Sequence, residues 1–288
     1  MLLIAYIYKK IFNKNVKIVY EIGDLNKRTY NESKNPLKIL LKLTLRGIEN
    51  ITCKNVDLLI ISSQYFWDFY YYKYIPKEKT FYFPNAPERN IFKRIEEKKD
   101  KSKITIGFIG SVRYAEQLKM LVDVINEIND QKSKNVFELL IAGTGPESNL
   151  ISEYVKNMDF VEMYGPYNYD KEIASIYSKI DIVYSVYDSS IANVRVAIPN
   201  RLYEAIVSEK PIIVAKGTKL EQFVVKNGIG YAVDSKNADD LRKLLTNIIE
   251  KKVCFEDIKE KCRKIKNNYY IDYYQRELIE RYMKLNNM

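Results

Sequence analysis

Pro199-Asn200-Arg201-Leu202-Tyr203-Glu204-Ala205-Ile206, followed by Lys210-Pro211-Ile212-Ile213-Val214-Ala215, reads as a loop, a short helix and a buried strand in immediate succession. Pro199 sets the turn without disturbing the helix behind it, because the first helical amides have no intrahelical partner in any case. Free amides and the positive end of the helix dipole then suit a phosphate at Pro199, Asn200, Arg201 and Leu202. Glu204 follows about a turn further in, where a carboxylate can take the hydroxyls of a ribose. The plainer reading of the same residues is an ordinary amphipathic helix with a solvated glutamate.

Outward from this segment the chain alternates between strand and helix. The patterning predicts strands at Ile104–Ile109, Phe137–Ala142, Val161–Tyr164, Ile182–Val186, Ile212–Ala215 and Gly230–Val233. Helices are expected between them, near 116–130, 147–157, 170–179, 200–208, 218–226 and 238–250. Such alternation with short loops argues an α/β, doubly wound parallel sheet. The first part of the chain is a smaller version of the same pattern. It has a helix from Leu2 to Phe12, a strand at Val16–Ile22, a helix from Pro36 to about Ile51, a strand at Val56–Ile61, a helical aromatic run from Tyr65 and a strand at Thr80–Phe83. Residues 94–103 are almost wholly charged and read as a linker. The expected organisation is therefore 1–93, a partial Rossmann-like domain; 94–103, a linker; 104–254, a complete Rossmann-like domain; and 255–288, one helix packing back toward the first domain.

At 288 residues and 47% apolar content the chain is long enough for two ordinary cores. Its 3 cysteines form no disulfide framework, and the absence of histidine excludes His-ligated zinc and any histidine-based triad. The net charge of +10 favours acidic or phosphorylated partners. No groove-reading motif supports nucleic acid, so none is expected as a partner. The apolar start is eight residues long and followed by Lys9 and Lys10, which fits neither a signal peptide nor a membrane span. A cytoplasmic protein is expected.

In a doubly wound sheet, ligands bind outside the carboxyl ends of the strands. The loop after the strand at 104–109 carries Gly110, which permits close backbone approach, and Arg113, a fork suited to phosphate. Lys119 offers a second cation. Ala142-Gly143-Thr144-Gly145-Pro146-Glu147 is a Gly-rich turn whose Gly143 and Gly145 are either ligand contacts or steric necessities of the turn. At Tyr164-Gly165-Pro166-Tyr167 the backbone near Tyr167 can pair with a base edge. Together these loops neutralise phosphate through Arg113 and Lys119 and hold a ribose at Glu204. A diphosphate leaving group needs such charge stabilisation as its bond breaks, and two cations and a helix end supply it without a metal or other cofactor.

The run Gly107-x-x-Gly110-x-x-Arg113, the Ala142–Glu147 turn, Tyr177-x-x-x-Asp181 and Pro199–Glu204 resemble, in order and spacing, family 4 glycosyltransferases. The likeness covers residues 104–250 well, and Val19–Leu25 through Pro84-Asn85 more loosely. The resemblance implies a GT-B fold of two Rossmann-like domains, the first incomplete here. It also implies a retaining hexosyl-type transfer from a nucleotide diphosphate sugar to a polysaccharide or lipid-linked acceptor, often in capsule or exopolysaccharide synthesis. Arg113 and Lys119 would lie on the donor diphosphate and Glu204 on the donor ribose. Two positions depart from the pattern: Val196 stands eight residues before Glu204, where many relatives have a first glutamate, and Gly23 stands where many have a histidine before Asp24. The rival reading is a non-catalytic nucleotide-sugar-binding subunit of a split transferase, or a decayed paralogue.

An incomplete first domain leaves a sheet edge and an apolar surface to be covered, by an N-terminal partner chain or a homodimer. Within the helix from Pro36, Lys38, Lys42 and Arg46 recur every four residues beside leucines. That pattern fits a peripheral contact with an anionic membrane on its inner face. Its alternative is a core helix with a charged outer face.

Overall fold

The structure is a computed structural model that describes residues 1–26, 35–96, 98 and 102–287. The chain divides into two compact units: Met1–Asn85 with Arg195–Ile198 and Asp272–Met288, and Ala86–Val194 with Pro199–Ile271.

The first unit holds a parallel sheet of three strands in sequential order, β1 (Val19–Ile22), β2 (Leu58–Ile61) and β3 (Thr80–Tyr82). All four residues of β2 are buried, as the continuous apolar run requires for a strand covered on both faces. On one side Leu59 and Ile61 pack with Cys53, Phe66, Tyr71 and Ile75. On the other, Leu58, Ile60 and Phe81 meet Leu278 and Leu285 of the terminal helix. Two helices flank this unit, α1 (Leu2–Ile11) and α2 (Pro36–Cys53). Asn35 caps α2 by accepting from the amides of Leu37 and Lys38, with Pro36 at the first helical position.

Helix α2 reverses the expected orientation. Lys42, Leu45, Arg46 and Glu49 are half-buried toward the unit, whereas Leu37, Leu40 and Leu43 are exposed. The outer face is therefore largely apolar, with Lys38 also exposed. Periodicity shows which residues share a face but not which face turns inward.

The second unit is built on a parallel sheet of six strands in the order β6-β5-β4-β7-β8-β9. These are β4 (Ile104–Ile109), β5 (Phe137–Ala142), β6 (Val161–Gly165), β7 (Ile182–Ser185), β8 (Ile212–Ala215) and β9 (Gly230–Val233). The strand order reverses between β4 and β7, so the loops after these two strands diverge and leave a crevice at their carboxyl ends. After the short helices α3 (Tyr65–Phe69) and α4 (Arg89–Phe92), the helices that carry site residues are α5 (Ala115–Lys132), α6 (Ser148–Tyr154), α7 (Tyr169–Lys179) and, beyond the short α8 (Ala192–Val196), α9 (Asn200–Val207). Asp181, in the Tyr177–Asp181 motif, accepts from the Thr105 amide at 2.8 Å and from Lys98 Nζ at 2.7 Å, which ties the start of β4 to the end of α7.

Two boundary expectations change. The units divide between Asn85 and Ala86, ahead of the expected linker at 94–103. Arg94 donates to the Asp170 carbonyl, the Glu96 amide to Ser178, and Lys98 to Asp181, so the described part of that charged run is fastened to the second unit. The expected single helix at 255–288 is two, Phe255–Ile265 and Ile271–Asn286, separated by a 3₁₀ turn at Lys266–Tyr269. Arg263 and Lys266 both grip Glu209, at 2.7 Å each, and the Ile271 amide donates to the Pro87 carbonyl. These tertiary ties turn the chain where local propensity would have continued it.

Candidate functional site

The loops after β4, β5, β6 and β7 meet within the second unit. The Gly110 amide donates to the Ala142 carbonyl at 2.7 Å, Val112 to Thr144 at 3.2 Å, and Gly143 to Gly165 at 2.7 Å. Successive turns are thus laced edge to edge. Gly110 and Gly143 have φ of +119° and +120°, a region L side chains rarely adopt. A Cβ on Gly143 would stand 2.2 Å from the Gly110 carbonyl oxygen, and one on Gly145 2.3 Å from that of Val112. The structure thus accounts for Gly143 and Gly145 by the close stacking of the two turns.

Glu147 ends the Gly-rich turn and does something the sequence pattern did not disclose. Its carboxylate accepts from the Ala115 amide, so the protein's own anion caps the start of α5. That helix end is satisfied internally, and the free end left in the site belongs to α9.

Pro199 is the residue that caps α9, in extended conformation. The Leu202 amide already donates to the Pro199 carbonyl at 3.0 Å, and Pro199 has no N–H. The expected four-residue amide cradle at 199–202 therefore reduces to the amides of Asn200 and Arg201, the first two of the helix.

Arg201 turns back beneath the Gly110 turn. Its Nε donates to the Ile109 carbonyl, and its guanidinium lies 4.3 Å from the centre of the Phe108 ring and 5.2 Å from that of Tyr187. The side chain is only 6% exposed, and Nη1 has no hydrogen-bond partner. A side chain on Gly110 would strike Nη2, at 2.6 Å, so this glycine is what admits the guanidinium. Burial pushes Arg201 down to about 10, and the charge of Arg113 pushes the same way, while Tyr177, Glu204 and Tyr167 oppose it. Arg113 itself is exposed, with Nε on Ser111 Oγ at 2.9 Å. Two guanidinium groups thus face one turn, one buried and one solvated.

Lys119 does not join them by any direct contact. Its ammonium lies 3.8 Å from Glu116 and over the ring of Tyr154, whose hydroxyl donates to Asp123. That is the seam between α5 and α6. Arg201 is a further cation at the turn, which the sequence did not single out as one.

Glu204 is 4% exposed and not solvated. Its Oε1 accepts from the Tyr169 hydroxyl at 2.9 Å and its Oε2 from the Tyr177 hydroxyl at 2.8 Å. Each oxygen retains acceptor capacity beyond its one tyrosine. Tyr167 is half-buried, and burial followed by the Glu204 charge pushes its phenol up to about 12. Tyr169 had no signal in the sequence and Tyr177 stood out only within its motif with Asp181, yet the two lie on one face of α7 two turns apart, with Ile173 between them. Among the described residues, no group of three or more acidic, Cys or His side chains is placed to hold a metal.

Burial raises the Glu204 carboxyl above its ordinary 4.5, against the pull of the two tyrosines and Arg201. A raised folded value means that the native state holds this proton more tightly than the unfolded chain. The contribution to stability is complete below the unfolded value and lost as pH rises through the folded one. Glu204→Gln is therefore expected to gain melting temperature relative to wild type as pH rises above the ordinary carboxyl value of 4.5. A difference independent of pH would show that the carboxyl is not shifted.

The two positions that depart from the resemblance both lie in the first unit. Val196 is buried in its apolar core, with its carbonyl accepting from Ser63 at 2.6 Å, so this position is committed to packing. Gly23 has open space where a Cβ would stand, and its carbonyl accepts from Ser62.

Comparison with known proteins bears on the whole chain. Succinoglycan biosynthesis protein ExoL of Rhizobium meliloti (strain 1021) is 23% identical over 272 residues, which are 91% of this chain and 64% of that protein. The chain thus spans under two-thirds of that relative's length. The crystal structure of Anabaena HepE, in complex with UDP and glucose, matches with a TM-score of 0.71 at 15% identity, over 97% of this chain and 74% of that one. Sucrose-phosphate synthase from Thermosynechococcus elongatus matches with a TM-score of 0.70 at 13% identity, over 99% and 71% of the two chains. These likenesses establish a GT-B fold with two Rossmann-like parts. The family described as "Glycosyl transferases group 1" matches residues 89–271, which include every turn of the site described above. That match extends over more than half of the sequence, and the chain belongs to this glycosyltransferase family.

Proposed function

We propose that the chain transfers a hexosyl group from a nucleotide diphosphate sugar to a polysaccharide or lipid-linked acceptor, with retention of the anomeric configuration. The observation that carries this reading is the pair Arg113 and Arg201, facing one glycine turn beside the free end of α9. Two like charges brought to one turn repel unless an anion lies between them. A diphosphate brings two negative centres to that point. As the glycosidic bond breaks, charge accumulates on the leaving diphosphate, and cations already in place stabilise it without reorganising. Glu204, fixed by Tyr169 and Tyr177, accepts from the ribose hydroxyls, and the backbone at Tyr167 meets the base. The donor contacts proposed are Gly110, Arg113, Lys119, Tyr167, Asn200, Arg201 and Glu204. Gly143, Gly145, Pro199 and Leu202 shape the turns, and no metal is invoked. The names of ExoL and of the UDP-bound HepE support a nucleotide-sugar donor and an exopolysaccharide product.

The test is incubation with a panel of nucleotide diphosphate sugars and glycan or lipid-linked acceptors, reading the anomeric coupling of the product by NMR. A product with the donor's configuration is expected. An inverted product would overturn retention. A second reading, a nucleotide-sugar-binding subunit without turnover, is favoured by the open space at Gly23. Binding without transfer or donor hydrolysis, even with membrane extract present, would select it.

A further inference from the structure

Both oxygens of the Glu204 carboxylate are held by the protein itself. Tyr169 donates to Oε1 at 2.9 Å and Tyr177 to Oε2 at 2.8 Å. An ionised carboxylate accepts about four hydrogen bonds, so each oxygen keeps capacity for a further donor. The two phenols fix the plane of the group and so the directions that remain. Two adjacent acceptor sites are left on one rigid carboxylate.

The hydroxyls are set in turn by their own surroundings. Tyr169 opens α7, and the start of that helix is tied twice. Asn168 accepts from the Lys171 amide at 3.1 Å, and Glu172 accepts from the Asn168 amide and the Tyr164 hydroxyl, at 2.7 Å each. Tyr177, two turns on, is wholly buried, with its ring centre 5.5 Å from that of Phe92. Phenols so placed present their hydroxyls to Glu204 with little freedom to turn elsewhere.

Two adjacent acceptors call for two adjacent donors, and the vicinal diol of a ribose carries them. A 2′-deoxyribose brings one hydroxyl fewer. Glu204 is almost fully buried, so water has little access to the missing place, and a buried charged acceptor is left short of a partner. We infer that Tyr169 and Tyr177 are positioning residues that make Glu204 a rigid diol receptor, so that the chain takes ribonucleoside diphosphate donors and rejects their 2′-deoxy counterparts. The inference rests on the donor reading of this site and deepens it by naming the pentose that the site selects.

The test is titration calorimetry of the full chain with uridine, guanosine and adenosine diphosphates and with the 2′-deoxy form of each. The ribonucleotide that binds most tightly is expected to exceed its deoxy form by roughly a hundredfold, the scale of one hydrogen bond to a buried charge. Tyr169→Phe and Tyr177→Phe should each narrow that ratio to about tenfold or less, chiefly by weakening the ribonucleotide. A purely structural role would weaken both forms alike, and an unchanged ratio in both variants would overturn the positioning role. Melting without ligand checks each fold, and Tyr169, only half-buried, carries the test if the Tyr177 variant does not fold. Equal affinity for ribo and deoxy forms in wild type, with diphosphate still preferred to nucleoside, would overturn the inference and leave the donor site standing. No binding of any diphosphate would overturn both.

Discussion

Arg201→Met is expected to weaken binding of a nucleoside diphosphate by roughly a hundredfold, while leaving binding of the corresponding uncharged nucleoside within a few-fold. The reasoning rests on what the guanidinium lacks. It is almost wholly buried, its Nη1 has no partner, and it touches two aromatic rings and the Ile109 carbonyl. The Glu204 carboxylate offsets this buried charge only in part, since burial still pushes the guanidinium down to about 10, and an anion from outside the protein would complete the compensation. Methionine keeps the length and apolar stem and removes the charge. If Arg201 only buttressed the Gly110 turn, the variant would lose melting temperature and affinity for nucleoside and nucleotide alike. Titration calorimetry with both ligands, beside a melt without ligand, separates the two roles.

The second large effect concerns stability. Gly143→Ala is expected to cost about 3 kcal/mol or more, because a strained backbone and a clash with backbone coincide there. The Cβ would lie 2.2 Å from the Gly110 carbonyl oxygen and 2.8 Å from its carbon, neither of which can move aside as a side chain would. Gly217 supplies the internal control. Its φ of +78° is also positive, but nothing lies within 4 Å of a Cβ there. Gly217→Ala should therefore cost only about 1–2 kcal/mol, the backbone term alone. Chemical denaturation of both variants measures the difference, and equal costs would refute the role given to turn stacking.

The second unit was largely legible before any coordinates. Its strands are largely apolar, with Gly at or just after the end of β4, β5 and β6, and each lies within a residue or so of its expected place. Burial on both faces leaves little freedom for such runs. What escaped was decided by tertiary partners. The charged run after Arg94 looks like a solvated linker, yet Lys98 is used to hold Asp181 at the foot of β4. The terminal helix breaks because Arg263 and Lys266 converge on Glu209, which lies far away in sequence.

The candidate site shows the same division. The turn glycines, Arg113 and the α9 segment were recognisable by residue type and spacing. The burial of Arg201 beneath the Gly110 turn was not, nor was the resting place of Lys119, since a lysine one turn into a helix looks free to reach a phosphate. Only the ring of Tyr154 and the carboxylate of Glu116 show where its ammonium rests. Likewise Glu204 read as a free carboxylate, because the tyrosines that hold it sit 27 and 35 residues away. On α2 the periodicity was plain and its direction was not.

The central claim is that the Gly110 turn, Arg113, Arg201 and the start of α9 form one diphosphate site. It is tested most directly by titrating a nucleoside diphosphate, and separately its nucleoside, into wild type and into Arg113→Ala. Wild type should bind the diphosphate far more tightly than the nucleoside, and Arg113→Ala should erase most of that difference while nucleoside binding persists. Equal affinities for the two ligands in wild type, or an undiminished preference in Arg113→Ala, would contradict it.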